Sequence, residues 1–331
     1  MRKRIHILAM GGTIAGVAGD CAATTGYRAG AVGVEELLAA VPQVNDIAEV
    51  TGEQLAAIDS KDITSQQQLT LIKRVRELLL ASTVDGIVIT HGTDTLEESA
   101  YLLDLVHFAD KPVVITGAMR PATAISADGP LNILDAVRVA AADTARDRGV
   151  LVVLNQEIHS AQLATKSSTT AVETFQSPIG GAVGAVNDGE VVFYHGGEMH
   201  HLPNALNISE MLTSQKELPY VPILYGHGDD DGRLVRSVAA QGAKAIVYAG
   251  MGNGSIPARV EQELAAVRKN GLIVMRASTS ACGMVTRAEL SYEEAGFLSS
   301  GVLNPRKARL FLQVALLSGF SVAEMSKFIV G

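Results

Sequence analysis

Four short polar clusters contain the residues of this chain that could carry out chemistry, and each cluster follows an apolar run. If those runs are parallel strands, their carboxyl ends meet at one edge of a sheet, where ligands bind in such folds. The clustering therefore predicts a single site built from loops that are distant in sequence. The clusters are residues 11–16 (Gly-Gly-Thr-Ile-Ala-Gly), 59–62 (Asp-Ser-Lys-Asp), 91–95 (His-Gly-Thr-Asp-Thr) and 117–120 (Gly-Ala-Met-Arg).

The first cluster presents a hydroxyl directly after two glycines. Gly11 and Gly12 let the backbone come close to a ligand, and Thr13 then places its hydroxyl at the predicted sheet edge. Two other interpretations are open: a plain Gly-Gly turn in which Thr13 acts as a cap, and a nucleotide-binding loop. The spacing G-G-x-x-x-G differs from the dinucleotide fingerprint G-x-G-x-x-G, which argues against the second of these.

The third cluster offers a second hydroxyl beside a carboxylate at the start of a predicted helix. Thr93 or Asp94 could simply cap that helix, or Asp94 could accept hydrogen bonds from a substrate ammonium while Thr93 holds a nucleophile or a water. A threonine nucleophile needs a base, and a lysine whose pKa is lowered by burial can serve. Lys166, in a Ser/Thr-rich stretch, is the candidate unless it is an ordinary surface lysine.

The elements that must position these residues alternate between short apolar runs and amphipathic stretches. This alternation indicates βαβ units and therefore an α/β fold with a mostly parallel sheet flanked by helices. Thr64 is predicted to cap a strongly amphipathic helix, and further helices are expected between the strands. The predicted strands are residues 5–10, 55–58, 85–90, 112–116, 150–154, 221–224, 245–248 and 272–275.

Residues 195–219 are predicted to be a linker because they contain glycine and proline and little periodicity. The predicted domains are accordingly a larger N-terminal catalytic α/β domain, residues 1–194, and a smaller C-terminal α/β domain, residues 220–331. A chain of 331 residues is long for a single core, which agrees with this division.

Composition excludes several classes of protein. The chain is 47% hydrophobic with a net charge of −8, which argues against a disordered chain and against a nucleic-acid partner. No apolar run approaches the ~20 residues that cross a bilayer, and no His/Cys/Asp cluster has metal-ligand spacing. The apolar run after the basic residues 2–4 is shorter than that of a signal peptide. A cytoplasmic protein is therefore predicted, or a periplasmic one if a leader was removed before this numbering.

Taken together, the motifs resemble the bacterial L-asparaginase (asparaginase/glutaminase) family, closest in pattern to its type II enzymes, over nearly the whole chain. The resemblance implies hydrolysis of L-asparagine to L-aspartate and ammonia through a threonine acyl-enzyme, with some activity on L-glutamine and no metal or organic cofactor. The first and third matching segments are the family's two signature motifs. The matching segments are residues 7–16, 32–37, 89–99, 117–121, 126–132, 165–166 and 300–309.

The resemblance also implies catalytic roles for five residues. Thr13 matches the nucleophile, and Tyr27 matches a lid tyrosine that hydrogen-bonds that threonine. Thr93, Asp94 and Lys166 match a second catalytic group, for which activation of the first threonine and activation of a water are both discussed in the family. Backbone N–H groups are expected to stabilise the oxyanion.

Substrate-binding roles follow from the same resemblance. Ser60 matches a residue that binds the α-carboxylate, and Asp94 one that holds the α-ammonium. Glu289 matches a glutamate that a partner subunit contributes to the ammonium pocket, and Asn253 matches a second residue near that shared edge. This implies an intimate dimer and a homotetramer of two such dimers. Lys61 departs from the Gln or Glu that is frequent in the family. A charged Lys61 that faced the substrate ammonium at ~4 Å would be repelled by about 4 kcal/mol at an effective dielectric near 20. We therefore expect Lys61 to turn toward the substrate carboxylate or a neighbouring aspartate.

Three alternatives to a dedicated asparaginase are considered. A broad glutaminase-asparaginase would be distinguished by parallel assays of the two amides. The amidase subunit of a tRNA-dependent amidotransferase would be expected to carry an extra N-terminal domain, whereas this chain begins at the first predicted strand. A nucleotide-binding α/β protein without hydrolytic activity would release no ammonia from asparagine.

Overall fold

The computed structural model describes residues 2–22, 25–195, 201–287 and 289–330. The chain divides into two compact units, Met1–Lys216 and Glu217–Gly331. The first contains a large mixed sheet and the second a smaller parallel sheet, and helices accompany both sheets. The predicted α/β fold class, with a larger N-terminal and a smaller C-terminal domain, is confirmed.

The first unit is built on an eight-stranded sheet, in the part of the chain that the structure describes. Its strand order is β10-β9-β6-β5-β4-β3-β1-β2, and β7 pairs separately with β8. The pairings from β2 through β1, β3 and β4 to β5 are parallel. Every residue of β3, β4 and β5 is buried, as expected for parallel strands covered on both faces. The strands are β1 Lys3–Gly11, β2 Ala48–Ile58, β3 Gly86–Thr90, β4 Val113–Thr116, β5 Val150–Leu154, β6 Glu157–Ser160, β7 Thr165–Lys166, β8 Phe175–Gln176, β9 Gly184–Asn187 and β10 Glu190–Phe193.

The antiparallel end of this sheet, from β5 to β10, was not predicted. Asn155 and Gln156 join β5 to β6 with φ of 50° and 65°, and Asp188 and Gly189 join β9 to β10 with φ of 49° and 86°. Positive φ at both central residues is characteristic of the type I′ hairpin turn. The Asp-Gly pair was therefore a readable hairpin signal, whereas Asn-Gln is a weak one because glutamine seldom adopts positive φ.

The strand β2, Ala48–Ile58, lies at the edge of the sheet, which explains why only its last residues, 55–58, were predicted. The strand begins at Ala48, and most of its residues are partly or fully exposed because it pairs on one side only, with β1. Polar residues are tolerated on such a strand, so its first half lacks the continuous apolar run that identifies a buried strand.

The helices of the first unit pack around this sheet. α3 begins as predicted, with Thr64 and Gln67 forming a reciprocal capping box. α5 ends at Ala141, and a separate 3-10 turn follows. α6 lies within the stretch predicted as a linker and packs against α3. The helices are α1 Val34–Ala39, α2 Val44–Ile47, α3 Ser65–Leu80, α4 Leu96–Leu105, α5 Gly129–Ala141 and α6 Ala205–Thr213, and the 3-10 turns are Thr13–Ala15, Ser60–Asp62 and Asp143–Ala145.

The second unit contains the parallel sheet β11-β12-β13-β14. Its longest helix is capped by Asn304, whose side chain accepts a hydrogen bond from the Lys307 backbone N–H. Within the described residues of the whole chain, no helix has the length and apolarity needed to cross a membrane. The elements are β11 Ile223–Tyr225, α7 Arg233–Ala240, β12 Ala245–Gly250, α8 Ala258–Lys269, β13 Ile273–Ser278, α9 Leu290–Glu294, β14 Leu298–Ser299, α10 Pro305–Leu317 and α11 Val322–Val330.

Candidate active site

Two glycine turns meet at the carboxyl ends of the neighbouring strands β1 and β3. Gly12 has φ +81°, and a Cβ at this position would lie 2.3 Å from Gly92 Cα and 2.4 Å from Gly92 N. The two backbones are therefore in direct contact, which is possible only because neither residue carries a side chain. This contact brings together the loops that carry Thr13 and Thr93.

Thr13 does not cap a helix. It opens the short 3-10 turn Thr13–Ala15, whose capping residue is Gly12 and which has no side-chain cap. The Thr13 side chain instead makes a 2.5 Å hydrogen bond, Oγ1 to the Tyr27 hydroxyl, and Thr13 is only 5% exposed. The structure thus gives Thr13 a buried hydroxyl with a defined hydrogen-bond partner.

Lys166 joins Thr93 and Asp94 into a second polar group. Its Nζ donates to Thr93 Oγ1 at 2.9 Å and to Asp94 Oδ1 at 2.6 Å. The Lys166 side chain is 15% exposed, so it is not an ordinary surface lysine. Neither Thr93 nor Asp94 caps α4, because the capping position is Thr95, without a side-chain cap bond.

Glu97 holds the backbone of Lys166. This carboxylate, on the first turn of α4, is 2% exposed and accepts a 2.7 Å hydrogen bond from the Lys166 N–H. Lys166 also lies on β7, where it pairs with Phe175 of β8. The lysine that reaches Thr93 is therefore fixed by a strand pair and by a buried carboxylate.

His91 contacts the second glycine turn through the carbonyl oxygen of Gly92. Burial lowers the pKa of His91 to about 4, so the ring is neutral at pH 7. Nδ1 lies 2.8 Å from the Gly92 carbonyl oxygen and Nε2 lies 3.0 Å from Ser99 Oγ. Because a carbonyl oxygen only accepts, Nδ1 carries the proton and Nε2 accepts from the serine hydroxyl. Neither His91 nor Ser99 is among the described residues that line the cavity.

The two hydroxyl groups open into one cavity of about 280 Å³. Ser60 forms part of its wall: it is 2% exposed, and its Oγ accepts from the Asp94 N–H at 3.2 Å. Its carbonyl oxygen accepts from Thr95 Oγ1 at 2.9 Å. The cavity is lined by Gly12, Thr13, Thr25, Gly26, Tyr27, Asp59, Ser60, Gly92, Thr93, Asp94, Met119, Lys166, Thr169 and Thr170.

Lys61 is not among the described residues that line this cavity. Its Nζ donates to Asp59 Oδ2 and lies 3.5 Å from Asp62 Oδ2. The hydrogen bond to Asp59 raises the pKa of Lys61. The neighbouring aspartates therefore hold the charged amine, the second of the two orientations considered from sequence.

Asn253 and Glu289 belong to the second unit. Asn253 exchanges two hydrogen bonds with Thr286: Nδ2 donates to Thr286 Oγ1 at 2.8 Å, and Oδ1 accepts from the Thr286 N–H at 2.9 Å. Asn253 and Thr286 line another cavity of about 280 Å³. Glu289 occupies the N-cap position of α9, and its side chain accepts no hydrogen bond from the first turn of that helix.

Several lining residues were not singled out from sequence. Thr169 and Thr170 lie in the Ser/Thr-rich stretch that contains Lys166, and Met119 lies in the polar cluster after β4, so their neighbourhood was a signal although their roles were not. Asp59 was visible only as a member of its cluster. Among the described residues, no group of three or more His, Cys, Asp or Glu side chains is placed to hold a metal ion.

Comparisons with known proteins identify what this chain is similar to. Two family models, described as "Asparaginase, N-terminal" and "Glutaminase/Asparaginase C-terminal domain", match residues 4–198 and 220–329. L-asparaginase 2 of Bacillus subtilis (strain 168) is 46% identical over 312 residues, covering 94% of this chain and 82% of that protein. Glutaminase-asparaginase of Pseudomonas fluorescens biotype A is 44% identical over 315 residues, covering 94% and 86%. The crystal structure of a probable cytoplasmic L-asparaginase from Campylobacter jejuni matches with a TM-score of 0.93 at 41% identity, covering 99% of each chain.

Proposed function

This chain belongs to the asparaginase family of hydrolases, and from that premise we propose that it hydrolyses the side-chain amide of L-asparagine to L-aspartate and ammonia, with a side activity on L-glutamine. One observation carries the proposal. Two threonine hydroxyls, Thr13 and Thr93, each with its own hydrogen-bond partner, line the same small polar cavity.

In the first step, Thr13 Oγ1 attacks the amide carbon of the substrate. The new C–O bond replaces the C–N bond, the hydroxyl proton is passed to the departing nitrogen, and ammonia leaves. Tyr27, 2.5 Å from Thr13 Oγ1, is placed to take part in that proton transfer. Positioned proton transfer of this kind contributes about 10²–10⁴-fold to rate.

In the second step, water attacks the ester carbon and restores the Thr13 hydroxyl while L-aspartate forms. Thr93, held by Lys166 at 2.9 Å, is suited to orient that water. For Lys166 to act as the base it must release a proton from the amine that bonds Thr93 and Asp94.

The substrate's charged ends match the polar wall of the cavity. Asp94 offers a carboxylate to the α-ammonium, and Ser60, fixed by Asp94 and Thr95, offers a hydroxyl to the α-carboxylate. Thr169 and Thr170 add hydroxyls on the side of Lys166. An amino-acid amide has an α-ammonium for Asp94 and an α-carboxylate for Ser60.

Thr13→Ala tests the proposed function most directly. Ammonia release from L-asparagine should fall by at least about 10⁴-fold, because removal of a nucleophile leaves only binding and electrostatic assistance. The exposed Thr70, on α3, supplies the matched control Thr70→Ala, which should keep full activity. Both variants should unfold at the temperature of the parent protein. Full turnover in Thr13→Ala would contradict the proposal.

The proposal includes a shared site. Asn253 and Glu289 of a partner subunit are proposed to complete the ammonium pocket, in a homotetramer of two intimate dimers. Mixing two inactive proteins, Thr13→Ala and Glu289→Gln, after subunit exchange should recover about a quarter of the parent activity, since half of random dimers are mixed and each has one intact site. No recovery after verified exchange would contradict a glutamate supplied in trans.

The glutaminase-asparaginase of P. fluorescens gives the alternative substrate preference a specific support, at 44% identity. Parallel measurements of kcat/KM for L-asparagine and L-glutamine would distinguish a dedicated asparaginase from a broad enzyme. For location, this chain is similar both to a structure named cytoplasmic, at 41% identity, and to a Haemophilus influenzae protein named periplasmic, at 43% identity. Cell fractionation with compartment markers distinguishes the two locations.

A further inference from the structure

One wall of the cavity carries a carboxylate whose counter-charge lies outside the cavity. Asp59 lines the cavity, whereas Lys61 does not. The Lys61 amine donates to Asp59 Oδ2, and its backbone N–H donates to Asp59 Oδ1 at 3.5 Å. Side-chain exposure is 40% for Asp59 and 61% for Lys61. The carboxylate of the wall is thus neutralised from the solvent side.

The other charges of the cavity are already matched inside it. The charged side chains among its described lining residues are Asp59, Asp94 and Lys166. Asp94 and Lys166 pair with each other at 2.6 Å. Without Lys61, the described lining would therefore carry one negative charge in excess, at Asp59.

That excess would fall where a carboxylate has to bind. Ser60 follows Asp59 directly and is fixed by the Asp94 N–H and by Thr95 Oγ1, so it has little freedom to move away from its neighbour. A substrate carboxylate that accepts a hydrogen bond from Ser60 comes to lie beside the Asp59 carboxylate. Two unit negative charges roughly 4 Å apart repel by about 1 kcal/mol even in bulk water.

We propose that the Asp59–Lys61 ion pair determines substrate selection at this end of the cavity: Lys61 neutralises Asp59 and so permits an α-carboxylate to bind beside Ser60. Lys61 acts through Asp59 and does not contact the substrate. The inference rests on the proposed function, since it requires an amino-acid amide as the substrate. The raised pKa of Lys61 agrees with it, because the amine then stays charged throughout the neutral pH range.

Four proteins test the pair: the parent, Lys61→Gln, Asp59→Asn and the double variant. Lys61→Gln should raise KM for L-asparagine at least about fivefold, the factor that corresponds to 1 kcal/mol, while kcat changes little because the charge acts on binding. Asp59→Asn should lower KM, because the carboxylate that repels the substrate is removed while the positive charge of Lys61 remains. The double variant should return KM toward the parent value, because both charges are gone.

Controls separate this effect from general charge and folding effects. Lys73→Gln, on an exposed position of α3, makes the same charge change away from the cavity and should leave KM unchanged. Lys61→Arg keeps the charge and should raise KM less than Lys61→Gln. Added salt should reduce the KM difference between Lys61→Gln and the parent, because exposed charges are screened over about 8–10 Å. Thermal unfolding of each variant verifies that it is folded.

Two results would overturn the inference: a parent-like KM in Lys61→Gln, or a double variant as impaired as Lys61→Gln. Calorimetric binding of L-aspartate to the same four proteins examines the pair without turnover and should give the same order of affinities. If the parent released no ammonia from either amide, the proposed function would fail, while the order of aspartate affinities would still decide the role of the pair.

Discussion

The contact between Gly12 and Gly92 leads to a prediction with a magnitude that follows from the structure. An alanine Cβ at position 12 would lie 2.3 Å from Gly92 Cα, whereas ordinary contacts begin at 3.4 Å. Because the opposing atoms are backbone, no side-chain rotation can relieve the overlap. The two loops must separate by about 1 Å, and Thr13 must move away from Thr93 and Lys166 by a similar distance.

We expect Gly12→Ala to lower kcat/KM for L-asparagine by about 10²-fold, the effect of a 1 Å misplacement in an oriented site. This corresponds to about 2.7 kcal/mol in the activation free energy. The free energy of unfolding should also fall by about 1–2 kcal/mol, since φ of +81° is unfavourable for alanine. Steady-state ammonia release and urea unfolding measure the two quantities.

Gly242 provides the matched control. Its φ is +86°, but a Cβ there would meet nothing within 4 Å. Gly242→Ala should therefore show the same backbone strain, about 1–2 kcal/mol in unfolding free energy, with kcat/KM unchanged. If Gly12→Ala and Gly242→Ala were equally active, the close approach of the two glycine turns would not be what positions the threonines.

Two further predictions concern the buried residues Glu97 and His91. Glu97→Gln should reduce kcat by about tenfold at unchanged KM, because it weakens the charge-assisted hydrogen bond that fixes Lys166, which is worth about 1.5–3 kcal/mol. The exposed control Glu35→Gln should leave kcat unchanged. A change in KM without a change in kcat would refute this prediction. His91 has a pKa of about 4 in the folded protein and about 6.5 when unfolded, so unfolding takes up protons between these values. The contribution of His91 to the free energy of unfolding should therefore be fully present above pH 6.5 and fall by up to about 3 kcal/mol as the pH drops to 4. Urea unfolding of His91→Gln should show a smaller fall over this pH range. An equal fall would contradict the assignment.

Local sequence was sufficient to predict the central strands and the start of the helix α3. Continuous apolar runs at β3, β4 and β5 predicted buried strands, and the capping residue Thr64 predicted the start of α3. Both kinds of signal are local: a buried parallel strand needs apolar residues on both faces, and a helix start needs a side chain that can accept its first N–H groups.

Elements that are stabilised by contacts with segments distant in sequence were harder to predict. The polar edge strand β2 is stabilised by pairing with β1, and its sequence carries little apolar signal. The short strands β7 and β8 have two residues each and pair across an intervening loop that is rich in Ser and Thr, so neither is recognisable alone. α6 is stabilised by its packing against α3, a contact between segments far apart in the chain.

The amino-acid sequence by itself determined which residues carry hydroxyl, carboxylate and amine groups at the ends of the strands, because those types and their order in the chain need no folding to be read. Only the tertiary structure decided which of them meet. Lys166 reaches Thr93 and Asp94 across more than 70 positions, and Gly12 touches Gly92, since parallel strands place the ends of separate segments side by side. For Lys61, the linear order already placed Asp59 and Asp62 beside it, and only the structure decided that its amine bonds Asp59.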